Sequence, residues 1–116
     1  MDNIIKNNWQ PFNNGKSIGE TGTENGVIIY DIENINGARV TLENKTDIAP
    51  FATTLGIYGV MFHTRYDKDE SSAKTFIDQT IEKINKIFIL LDTPEVEQDT
   101  NWKEKYNNLI EDLAEQ

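Results

Sequence analysis

Val27-Ile28-Ile29-Tyr30-Asp31-Ile32-Glu33, then Asn34-Ile35-Asn36-Gly37, then Ala38-Arg39-Val40-Thr41-Leu42-Glu43, is the stretch from which the fold follows. In its last run apolar and polar residues alternate without a break. Ala38, Val40 and Leu42 take one side and Arg39, Thr41 and Glu43 the other, the period of two that a half-buried strand requires. The first run sets Ile28, Tyr30 and Ile32 on one face and Val27, Ile29, Asp31 and Glu33 on the other. The Asn-Gly step between the runs supplies the positive φ angles of a tight turn. An antiparallel hairpin with strands at about 27–33 and 38–43 is the expectation.

Downstream, residues 49–66 form a second β region. Unbroken, it would run about 55 Å at roughly 3.3 Å per residue, too long for a domain of this size. Gly56 and Gly59 are its natural break points. Two strands are expected, about 50–55 and 59–66, with a single bent strand as the alternative. Next, Ala73, Phe76, Ile77, Ile81, Ile84, Phe88 and Leu91 recur at spacings of three and four. Asp69 or Ser71 is placed to cap this helix, Glu82 and Lys86 form an i,i+4 pair outside it, and Pro94 stops it. It should span about 70–92. Trp102, Tyr106, Leu109, Ile110 and Leu113 predict a second amphipathic helix over about 100–114.

Upstream, residues 1–26 are polar and loop-rich, with Trp9, Phe12 and Ile18 as isolated apolar anchors. A short helix at 3–9, ended by Pro11, and a short strand near 16–20 are the readings available there. The fold class is therefore α+β. An antiparallel meander sheet of three to five strands is followed by a long helix and a C-terminal helix, in one domain spanning 1–116. The 49–66 region is apolar on both faces, so the N-terminal segment, the second helix or another subunit must cover the side that the long helix leaves open.

The chain has 116 residues, no cysteine and a net charge of −9. Without cysteine there are neither disulfides nor thiolate chemistry. Residues 92–116 hold eight acids against two lysines and so carry −6 of that charge. An acidic chain repels phosphate backbones, which argues against nucleic acid; any partner would be basic, although plain solubility accounts for the charge and is the favoured reading. The longest apolar run, Ile87–Leu91, is far short of the roughly 20 residues of a membrane span. The first residues do not read as a secretion signal, so a cytoplasmic protein with no membrane association is expected.

Among the motifs, Gly15-Lys16-Ser17 ends like a phosphate-binding loop, but Gln10 stands where the first glycine belongs and no strand leads in. His63 is the single histidine. On a strand it shares a face with Arg65, so His63, Arg65 and Tyr58 at the sheet end are the candidate ligand-binding residues. A half-buried strand histidine bonded to a neighbour is the plainer account. Asp31, Glu33, Arg39 and Glu43 read as an exposed cross-strand ion pair, typically worth under about 1 kcal/mol, rather than an acid/base site. Asp67-Lys68-Asp69-Glu70 lacks the ligand alternation of a calcium loop, and no metal site or cofactor is expected. None of Ser17, Ser71 and Ser72 stands in a nucleophile elbow. Trp102 and Tyr106, one turn apart, read as packing.

No catalytic motif emerges, which turns the expectation away from an enzyme. A small acidic binding protein fits better, for example a bacterial immunity-like inhibitor acting through protein–protein contact. Its partner-binding candidates are Glu104, Glu111, Asp112 and Glu115 on the second helix, or the uncovered sheet face. The alternatives are a small-ligand or enzymatic domain using His63 and Arg65, and a structural homodimer built on the 49–66 region.

Overall fold

The turn at Asn34–Ala38 shows how the hairpin closes. Gly37 N–H donates to Asn34 O at 2.9 Å, and Asn34 Oδ1 accepts from the backbone N–H of Asn36 at 2.8 Å. Gly37, at φ 109°, takes the one left-handed position of a three-residue loop. The Asn-Gly pair therefore works through one positive φ rather than two. The computed structural model describes residues 8–114. Within them, β2 (Val27–Asn34) pairs antiparallel with β3 (Ala38–Asn44) from Asn34↔Ala38 to Val27↔Asn44.

The register shifts between Ile28 and Tyr30, where Ile29 is inserted as a bulge. The sequence expectation that Ile28 shares a face with Tyr30 and Ile32 is thereby corrected. A bulge adds one residue and moves everything beyond it to the other face. Tyr30 and Ile32 point with Leu42 and Val40 toward the helices, and Ile28 points with Glu43 the other way. All three isoleucines of the run are buried or half-buried.

β4 (Phe51–Ile57) and β5 (Met61–Asp67) form a second hairpin through Tyr58–Val60, with Gly59 at φ 78°. The break thus lies at Gly59 alone. Gly56 is inside β4, opposite Phe62, whose ring occupies the space a side chain would need; a Cβ at Gly56 would stand 2.5 Å from it. At the other edge Trp9–Pro11 forms β1, pairing with the end of β2. The sheet is a five-stranded antiparallel meander, β1-β2-β3-β4-β5. The helix considered over 3–9 lies largely outside the described residues, and Trp9 itself is in a strand. Residues 16–20 form turns rather than a strand, joined to β2 by Gly19 N–H to Ile28 O (2.8 Å) and Ile28 N–H to Glu20 O (2.9 Å).

Asp69 caps the long helix, α1 (Glu70–Leu91), accepting from Ser72 N–H at 2.7 Å. Its stripe of Ala73, Phe76, Ile77, Ile81, Ile84 and Ile87 packs on Val40, Leu42, Leu55 and Ile57. Trp9 is fully buried in this core and donates from Nε1 to Asn85 Oδ1 at 2.8 Å, tying β1 to α1. After a 3-10 turn at Glu95–Glu97, α2 (Thr100–Ala114) packs on α1 and β5, with Leu113 fully buried. Trp102 stacks on Tyr106, and its Nε1 donates to Leu90 O at 2.7 Å, so the aromatic pair is a packing element. Among the described residues no helix is long and apolar enough to cross a membrane.

Candidate functional site

Both helices lie on one face of the sheet, which leaves the other to the N-terminal segment. That outer face is built in cross-strand rows: Glu33, Arg39, Gly56 and Phe62; then Asp31, Thr41, Thr54 and Thr64; then Glu43, Ala52 and Tyr66. The first two rows begin with a network more buried than the sequence suggests. Arg39 donates from Nε and Nη2 to the two oxygens of Asp31, at 2.9 and 2.7 Å, and the Thr41 hydroxyl adds a third bond at 2.9 Å. The Asp31 side chain is 0% exposed. The guanidinium also lies 3.5 Å from the centre of the Phe12 ring, and its bonds to Asp31 raise its pKa further. The exposed ion pair expected from sequence is instead a bidentate anchor with its carboxylate buried and its guanidinium half-buried.

Glu43 is the second surprise, an outward strand position that is fully buried. Its Oε1 accepts from the backbone N–H groups of Glu24 (3.2 Å) and Gly26 (3.1 Å). The glycine-rich tract closes around this carboxylate. A Cβ on Gly22 would lie 2.2 Å from the carboxyl carbon, and one on Gly26 would lie 2.4 Å from Asn44 O. Sequence reading took the tract as plain loop. The signal present was its clustering of small residues opposite a strand acid.

Between this anchored loop and the β4–β5 hairpin runs an open trough of about 520 Å³. Its floor is Thr41, Thr54 and Gly56, its one bank Glu20–Thr23, and its other Tyr58 and Phe62. Tyr66 donates its phenol to Glu24 beyond the Thr54–Thr64 row, bridging the two banks, and that bond is the main reason its pKa is raised. Tyr58, Phe62 and Tyr66 are 53%, 72% and 38% exposed, a row of aromatic surface on a sheet face that no helix covers.

The three candidate ligand-binding residues are not brought together. Tyr58 lines the outer trough. His63 and Arg65 share a face with Leu55 and Thr53, on the helix side, where Arg65 pairs with Asp67 at 3.1 Å and lies 4.6 Å from the Phe76 ring centre. Both are half-buried. On α2, Glu104, Glu111 and Asp112 are exposed on the side away from Leu113; Glu115 lies outside the described residues. No protein-family model, curated protein or solved structure matches this chain.

Proposed function

We propose that this chain is a small non-enzymatic binding protein that docks a basic protein partner on the outer face of its sheet, in the manner of an immunity-like inhibitor. The observation that carries this reading is the open trough with exposed Tyr58 and Phe62 on one bank and Glu20 on the other, beyond which the Tyr66–Glu24 bond joins the banks. Aromatic side chains held on a rigid strand are the usual energetic centres of protein interfaces. A lysine or arginine of the partner entering the trough would meet aromatic faces on one bank and the Glu20 carboxylate on the other. The net charge of −9 adds long-range attraction for such a partner. A cytoplasmic setting goes with this reading.

The exposed acids of α2 support a second docking surface, since they fall on one side of a helix whose other side is packed. Affinity capture from the native cells separates the two. Wild type, the pair Tyr58→Ser/Phe62→Ser, and the triple Glu104→Lys/Glu111→Lys/Asp112→Lys serve as baits. A basic protein released by salt, lost with the aromatic pair and kept with the triple is the expected result. Loss with the triple alone moves the interface to α2. A partner bound equally by all three baits would remove both versions. Sedimentation of the chain alone checks the homodimer alternative, which predicts self-association suppressed by Phe62→Ser.

A further inference from the structure

A pocket of about 240 Å³ lies between the β1–β2 end of the sheet and the last turns of α1, away from the trough. Two of its lining side chains, Asn34 and Asn85, have their amide oxygens committed inward. Asn85 Oδ1 accepts from the Trp9 indole and Asn34 Oδ1 from the backbone N–H of Asn36, both at 2.8 Å. Because the amide is planar, fixing the oxygen fixes where the NH2 group goes. Among the described residues neither Nδ2 donates a hydrogen bond, although Asn34 is only 5% exposed. Both residues line the pocket, and their NH2 groups are the uncommitted donors they bring to it.

Asp92 supplies the complementary acceptor. It caps α1 at its C-terminus, the negative end of the helix dipole, and the last turn holds no basic residue. A carboxylate there is unfavourable for the helix unless something donates to it. Phe88 and Ile89 complete the wall with apolar surface, Ile89 being largely exposed.

We infer that this pocket binds a single neutral pyranose. A sugar hydroxyl accepts and donates at once, so neighbouring hydroxyls satisfy two amide donors and one carboxylate together, while the C–H face of the ring rests on Phe88 and Ile89. The volume falls below the roughly 300–1,000 Å³ typical of drug-sized ligands, which suits one ring. Asp92, with no cation among the described lining residues, selects against phosphorylated or acidic sugars.

The test is a nitrogen-15 NMR titration of the full chain with the methyl glycosides of glucose, galactose, mannose and N-acetylglucosamine, with glucose 6-phosphate and acetamide as controls. The side-chain NH2 signals of Asn34 and Asn85 should shift with at least one glycoside and with neither control. Asn85→Asp keeps the acceptor for the Trp9 indole while deleting the donor. It should leave the indole N–H signal in place and weaken the glycoside about fivefold or more. The inference is overturned if no glycoside moves either amide, if acetamide binds as well, or if Asn85→Asp binds like wild type.

Discussion

Removing the Glu43 carboxylate should do more damage than its place on an outward strand position suggests. Glu43→Ala leaves the Glu24 and Gly26 N–H groups without their acceptor, and Gly26 is buried. An orphaned buried donor costs about 1–3 kcal/mol, so two place the loss at about 2–5 kcal/mol. Glu43→Gln retains one oxygen for the two shorter bonds, which go to Oε1, and loses the longer contact of Glu24 N–H with Oε2 at 3.4 Å. It exchanges charge-assisted for neutral bonds, which are about half as strong, and should lose only about 1–2 kcal/mol. Urea unfolding measures both: the midpoint should fall in the order wild type, Gln, Ala with the slope unchanged. Hydrogen exchange at the Gly26 amide should accelerate only in the alanine variant. An alanine variant within about 0.5 kcal/mol of wild type, with that amide still protected, would refute the claim that the loop is built around this side chain.

Asp31→Ala leaves the half-buried Arg39 guanidinium beside Phe12 without its partner and should destabilise the fold by about 1.5–3 kcal/mol in the same assay, more than breaking the exposed Glu82–Lys86 pair. Tyr30 is pushed up to about 12, first by burial and second by Asp78, from its ordinary value of 10.0. A raised pKa favours the folded state below the unfolded value, so its contribution is intact below pH 10 and declines as pH rises from 10 to about 12. The ultraviolet titration of wild type minus that of Tyr30→Phe should leave a single phenol ionising with a midpoint of about 12, and a midpoint at the ordinary 10.0 would refute its burial.

Much of this architecture is legible in the sequence because its periods are regular. Ala38–Glu43 alternates strictly, and the stripe from Ala73 through Ile84 repeats at helical spacing, so strand and helix follow from side-chain placement alone. Val27-Ile28-Ile29-Tyr30 offers four apolar residues in a row, a run with no phase, and there the bulge decides the facing. Gly56 reads as a break because glycine weakens a strand. Its compensation, the Phe62 ring, comes from the neighbouring strand and is visible only once the register is known. The buried states of Asp31 and Glu43 depend on Phe12 and the Gly22–Gly26 loop, segments without periodicity. The aromatic bank is half legible: Tyr58 is a candidate from sequence, while Phe62 and Tyr66 fall in a region apolar on both faces, where nothing in the sequence says which face stays uncovered.

The Trp9–Asn85 bond spans 76 positions of the chain. During synthesis the two hairpins can close from neighbouring residues as they emerge, but β1 has no acceptor for its indole until most of α1 has left the ribosome. The backbone of β1 can pair with β2 early, but its buried tryptophan is fixed only when α1 docks, so the oldest part of the chain is finished by one of the youngest.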